Sequence, residues 1–416
     1  MMQQPDQSLP KQCPQWSDLK AAYRLLSNER IDPRAIGEPH RQRTRSCCSD
    51  HPVVFCVQDD THLGGRCDRE QHTTLAVLPG GRLLGILDQR FFKRIKVREG
   101  ETRQERETRW RESTVWCDAV RGVGPAPEGC RFIHVADRAA DDLNLMDCCD
   151  EYGVGFVIRA RHDRCVNDRQ SKLRAELHAQ TPCGVMTLRI GTQRDDRGRI
   201  TRRGREATVA IRFAELELSP PWNHPGGHEP RLVRVVSLRE DDPPADVDRI
   251  DWTILTNEPI GDVEAAKRIV KIYENRWVIE EWHRALKEGC RLKSSQLDHP
   301  DDHLRLAATL SVIAVRLLQL RDLADPAHPE AQRPEALARW APATWIRVVA
   351  SLAQCRPDDL TPAAFFLTIA KRGGYLNRKR DPRPGWKVLW RGWSDVSLIV
   401  EGAELANEKP PPATCG

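Results

Sequence analysis

The residues best equipped for chemistry lie in one short stretch, Tyr273 to Lys287, where Tyr273, Arg276, Glu280 and Lys287 recur at helical intervals. Placed on a helix at about 100° per residue, the four fall within roughly 60° of one another. Ile272, Ile279 and Leu286 form an apolar stripe beside them. A phenol, a guanidinium, a carboxylate and an ammonium then share one line next to a buried edge. An ordinary solvated face with i,i+4 ion pairs would read the same way. Two further carboxylates tip the reading. Asp59 follows the β-branched run Val53 to Val57, and Asp137 follows the apolar run Phe132 to Ala136. Either aspartate alone reads as a strand-end cap or turn residue. If the two runs are neighbouring strands, both carboxylates emerge at one sheet edge, and a helix bearing Glu280 can close over it. Three carboxylates there make a hard-oxygen site for two Mg²⁺ or Mn²⁺ ions. Such a pair suits phosphodiester cleavage. Asp60 and Glu281 are the sequence-adjacent competitors, and Glu281 lies about 100° off the Tyr/Arg/Lys line, which favours Glu280.

These residues need a scaffold, and the flanking sequence supplies one. Thr73 to Leu78 and Arg82 to Leu87 are strand-like and joined by the turn Pro79-Gly80-Gly81, so they read as a hairpin. Leu143 to Tyr152 is helical, Gly153 ends it, and Gly155 to Arg159 is a fifth strand. Three antiparallel strands followed by crossover units predict a mixed five-stranded sheet with helices packed on it, an α/β core. Residues 93 to 112 read as a solvated helix of mixed charge. Residues 160 to 252 hold short alternating runs (Val185 to Ile190, Thr208 to Leu218, Leu232 to Leu238) between Arg-rich spacers, the pattern of an inserted β-subdomain. Helices follow at Val263 to Gly289 and Asp302 to Ala324. A Pro-rich linker at 326 to 343 leads to a helical part at 344 to 402.

Composition sets the outer limits. The chain has 416 residues, 39% hydrophobic and 30% charged, ample for a real core. Lys and Arg total 65 against 60 acids, a net charge of +5 that permits a nucleic-acid partner without requiring one. No membrane span and no signal peptide are expected. The 14 cysteines contain no C-x-x-C pair, so the expectation is reduced, mostly buried thiols without a zinc site.

The spacing Tyr273-(2)-Arg276-(3)-Glu280-(6)-Lys287 resembles the signature of cut-and-paste DDE transposases of the insertion-sequence-four family, the hairpin-forming bacterial transposases. The resemblance spans about residues 50 to 400. Gln58-Asp59-Asp60-Thr61-x-Leu63 looks like the segment of the family's first Asp. Ala136-Asp137-Arg138-Ala139-Ala140-Asp141 is similar to its D-R-E-A-D motif, with Ala139 in place of Glu. Glu107-Thr108-Arg109-Trp110, Leu304 to Leu320, Gly373-Gly374-Tyr375 and the series Trp386, Trp390, Trp393 follow the family as well.

The resemblance implies a ribonuclease-H-like core at 51–325 carrying the β insertion at about 160–252. It places the remnant of an N-terminal helical DNA-binding domain at 1–50 and a helical dimerisation region at 344–402. It implies that Asp59, Asp137 and Glu280 are the catalytic metal ligands for two Mg²⁺ or Mn²⁺ ions, and it decides Asp59 over Asp60. Tyr273, Arg276 and Lys287 would grip DNA phosphates. Trp252 would stack on a flipped base, and Arg159 would contact DNA. The implied partners are transposon-end and target DNA and a second copy of the chain, with no membrane, in a bacterial cytoplasm and on the nucleoid when DNA-bound. The implied reaction is a nick, a hairpin, its opening, and strand transfer. Only 58 residues precede Asp59, which keeps an alternative open: an N-terminally truncated, inactive or inhibitory DNA-binding derivative.

Overall fold

The computed structural model describes residues 8–407 apart from 14, 65–66, 95–99, 101, 103–111, 195–198, 222–226, 228, 246, 324, 327, 380 and 382–383. Two helices, α1 (Trp16–Leu26) and α2 (Glu38–Cys48), precede a long meander of β1 (Val53–Gly64), β2 (Cys67–Val77) and β3 (Leu83–Phe92). Helix α3 (Thr114–Val123) leads to β4 (Arg131–Ala136), and α4 (Leu143–Glu151) to β5 (Gly155–Arg159). Short strands β6 (Cys165–Val166) and β7 (Ser171–Lys172) come before β8 (Gly184–Ile190) and the small ribbon β9 (Gln193–Arg194) and β10 (Ile200–Arg202). The long β11 (Arg205–Leu218), β12 (Arg231–Arg239) and β13 (Asp251–Thr256) follow. The rest is helical: α5 (Val263–Glu274), α6 (Trp277–Arg284), α7 (Pro300–Leu323), α8 (Ala343–Ala353), α9 (Pro362–Arg372) and α10 (Trp386–Asn407).

The first five strands lie in the order β3-β2-β1-β4-β5, with β1 antiparallel to β2 and parallel to β4, and β4 parallel to β5. The sequence-based expectation of a five-stranded sheet with a separate β-subdomain needs correction. Among the described residues the sheet has eleven strands, because β13 pairs antiparallel with β5, and β12, β11 and β8 continue outward from it. The insertion is therefore an extension of the central sheet. An open β5 edge would leave a row of unpaired amides and carbonyls, and β13 satisfies it.

Strand alternation divides the core into two layers. Phe55, Val57, Ile133, Val135 and Val157 pack against α5, α6 and α7. Val54, Cys56, Phe132, Phe156 and Ile158 pack against α3 and α4. Helix α7 is long and apolar enough to cross a membrane by length and composition, contrary to the expectation that no stretch is. It is the central helix of the first layer and mostly buried. The 326–343 segment is packed too: Ala331, Ala336 and Leu337 are buried there. Helices α8, α9 and α10 share a third core in which Trp393 stacks on Trp345 at 4.3 Å. A Cβ at Gly373 would overlap the Val388 carbonyl and one at Gly392 the Ile369 carbonyl, so α9 and α10 meet backbone to backbone. No disulfide links the described cysteines.

Most of the solvated helix expected at 93–112, and the Glu107–Trp110 motif, lie outside the described residues. The basic run at Arg41–Arg45 is partly structural. Arg41 is buried and donates to the Arg34 carbonyl at 2.7 Å, while Arg45 donates to the carbonyls of Val123 and Pro125 at 2.5 and 2.6 Å.

Candidate active site

Asp59 lies within β1, which runs on to Gly64, and not beyond the end of the strand. It sits opposite Thr73 of β2. Its face follows from parity. Counting back by twos gives Val57 and Phe55, which pack against α5–α7, so Asp59 is on the helix-covered side. Asp137 follows Val135 by the same interval, and Val57 is registered with Val135 across the parallel pair. Both aspartates therefore stand two residues past the same rung, on the same face. Asp60 points the other way. Its Oδ1 meets His72 Nδ1 at 2.6 Å, and His72 Nε2 meets Gln58 Oε1 at 3.1 Å, beneath the edge of Trp116. This gives the choice of Asp59 a physical reason: Asp60 is spent in a buried network on the far side of the sheet.

The helix carrying the four-residue signature is not one uninterrupted α-helix. Asn275 caps α5, and its Nδ2 donates to the Lys271 carbonyl at 2.6 Å, competing with the backbone ladder. Helix α6 restarts at Trp277, and residues Ala285–Gly289 open into a π-helical turn that carries Lys287. Such turns recur at functional sites. The signature residues nevertheless converge. Arg276 Nη1 lies 3.2 Å from Asp59 Oδ2 and 3.1 Å from Glu280 Oε1, bridging strand and helix. Glu281 is drawn aside into a pair with Arg321 at 2.5 Å. Tyr273 is nearly buried and hydrogen-bonded to Arg159, with Trp252 edge-on at 5.6 Å. The Arg159 guanidinium sits over the Trp252 ring, 5.3 Å from its centre. Lys287 is half-buried.

The electrostatics are those of a crowded anionic site. Burial, reinforced by Glu280 and Asp137, outweighs Arg276 and pushes Asp59 up to about 7. Burial also lowers Lys287, with Lys293 adding to the effect and Glu70, Glu280 and Asp59 opposing it. Asp137 stands slightly apart: its carboxylate accepts the Ala139 amide at 2.7 Å, capping the turn that follows β4. The cap function weighed for it in the sequence is thus present as well.

Ligand atoms of Asp59, Glu280 and His283 lie within 4.8 Å of one another. His283 is the residue that the sequence reading missed. The available signal was its position three residues after Glu280, on the same side of the helix. It is buried, its Nε2 has no hydrogen-bond partner among the described residues, and burial pushes it down to about 3, helped by Lys287.

Comparison with known families fits this geometry. Residues 112–315 match a family described as a transposase DDE domain. Residues 1–31 match a transposase DNA-binding family, and residues 351–410 match the transposase Tn5 dimerisation domain. The chain is a Tn5-type DNA transposase. A DDE domain implies a ribonuclease-H-like fold, and the mixed sheet with strand order β3-β2-β1-β4-β5 is consistent with it. The transposase carries matches for DNA binding at one end and for self-association at the other, so DNA and a second copy are its partners. Its DDE domain is of a kind that works with divalent metal ions, and Asp59, Glu280 and His283 form a group that could hold one.

Proposed function

We propose that this transposase belongs to the insertion-sequence-four group and carries out cut-and-paste transposition at the Asp59, Asp137 and Glu280 site. The supporting observation is the convergence of Asp59 and Glu280 on one guanidinium, with Asp137 on the same sheet face. Asp59, near Asp137 on one side and Glu280 on the other, would be the shared ligand for two Mg²⁺ or Mn²⁺ ions. When bound, such ions activate an attacking oxygen and stabilise the leaving one. The fit rests on the donor set: two clustered carboxylates and an imidazole whose buried Nε2 has no partner among the described residues.

The chain's own residues do the rest. Arg276, Lys287 and Tyr273 hold phosphates flanking the cut, the guanidinium by paired N–H donors and the ammonium as a point charge. Trp252 offers a ring for an extruded base, worth about 1–3 kcal/mol per stacked base. Arg159 lies over that ring and would move onto phosphate when a base arrives. In sequence, water nicks the transposon end, the freed 3′-OH attacks the opposite strand to close a hairpin, water opens it, and the 3′-OH attacks target DNA. Domain limits of 1–50, 51–325 and 344–402 accompany this reading, with the C-terminal part holding the dimer together.

The test uses end-labelled transposon-end DNA with Mg²⁺ or Mn²⁺. The reading expects a nick followed by a hairpin product. Absence of cleavage, with inhibition of an active relative in the same tube, would favour an inhibitory derivative. Cutting without regard to end sequence would favour a structure-selective nuclease.

A further inference from the structure

Within the acidic site, His283 is the group that the carboxylate reading leaves without a task. It lies on α6, one turn beyond Glu280, with 5% of its surface exposed. A buried imidazole nitrogen normally has a partner, because leaving it without one costs about 1–3 kcal/mol. Its Nε2 has none among the described residues, and a ring nitrogen of His283 stands within 4.8 Å of the ligand oxygens of Asp59 and Glu280. No donor among the described residues satisfies Nε2, and the neighbouring carboxylates cannot donate to a lone pair while ionised. A cation between the three side chains would satisfy all of them at once. Glu and His three apart on a helix project to one side, the spacing that binds metals in helical bundles.

We infer that His283 is a nitrogen ligand to the ion held by Asp59 and Glu280, and that it biases this site toward Mn²⁺ over Mg²⁺. The inference rests on the metal-site reading above. Its chemical basis is ligand preference. Mg²⁺ prefers oxygen ligands at short, near-octahedral distances and keeps much of its water. Imidazole nitrogen is a better partner for first-row transition ions, whose affinities for nitrogen ligands rise along the series from Mn²⁺. A mixed oxygen–nitrogen set therefore penalises Mg²⁺ relative to Mn²⁺. Asp137, turned to its own cap, remains available for the second position.

The experiment is pulsed electron paramagnetic resonance on the full chain loaded with Mn²⁺ alone, without DNA. Protein labelled with ¹⁵N-histidine and unlabelled protein are compared, so that the ligand is identified without altering the fold. The expected result is a nitrogen coupling that changes with the label and disappears in His283→Gln. The same variant should lose about tenfold or more in the ratio of Mn²⁺ to Mg²⁺ affinity, read by competition. Mn²⁺ bound in wild type and lost in Asp59→Asn, but with no histidine coupling, would overturn the role of His283 and leave the carboxylate site standing. A histidine coupling and a metal preference unchanged in His283→Gln would do the same. Failure to bind Mn²⁺ in wild type, or binding unaffected by Asp59→Asn, would overturn the metal site and this inference together.

Discussion

Asp59 is held in the site at a cost to its charged form. It is lifted from an ordinary 3.8 to about 7, chiefly by burial. A raised value in the fold means that the fold prefers the neutral acid. Its stabilising contribution is complete below the unfolded value, near pH 4, and is lost as pH climbs through about 7. In metal-free protein, Asp59→Asn should therefore be more stable than wild type at pH 8, by up to about 4 kcal/mol. The two should converge as pH falls toward 4. Thermal melts across that range check the sign, and a variant that is less stable at pH 8 would contradict it. Arg276 tests a different property. If it grips phosphate, Arg276→Ala should weaken DNA binding and reduce the slope of log affinity against log salt by about 1, while Mn²⁺ binding persists. Lys287→Ala should behave alike, and anisotropy titrations at several salt concentrations distinguish this from a purely structural role.

At the scale of elements, what was legible in the sequence depended on whether local pattern decided the outcome. β4, β5 and α4 were legible because short apolar runs ended by Gly153 leave little choice. Parity along β1 was legible in principle and explains why Asp59 and Asp60 face opposite layers. The extent of the sheet was not, since pairing of β13 with β5 joins residues about a hundred positions apart and leaves no local mark. The break at Asn275 and the π turn at Ala285–Gly289 were also hidden, because a helical wheel assumes uniform rise. Helix α1 is held in place by α7 in a way the sequence did not show. Arg305 donates to the Leu26 and Ile31 carbonyls, both at 2.9 Å, from a buried position. Arg305→Ala should strand both oxygens, cost about 1–3 kcal/mol and raise hydrogen exchange in residues 16–31 more than elsewhere. The series Trp390 and Trp393 proves to be packing, with Trp390 buried and Trp393 stacked, while the Trp386 side chain lies outside the described residues. The same helix leaves Leu398 and Leu405 mostly exposed, two turns apart. In a region matched to self-association they are the natural contact, so Leu398→Glu with Leu405→Glu should shift the DNA complex toward monomer in sedimentation.

Across the whole molecule, the net charge of +5 said little, because the useful charge is local. Arg276 and Lys287 gather near carboxylates from a strand and a helix far apart in the chain, with Arg159 beside Tyr273. One sheet, covered on both faces, fixes that gathering, and the central claim is that a single site built this way cuts DNA. Neighbouring glutamates offer the most direct measurement. Glu280 faces Arg276 and Asp59, whereas Glu281 is paired with Arg321 outside the site. Metal-dependent cleavage of transposon-end DNA should be abolished by Glu280→Ala and retained by Glu281→Ala, both variants being folded by circular dichroism. Cleavage that survives Glu280→Ala, or that is lost only with Glu281→Ala, would contradict the account.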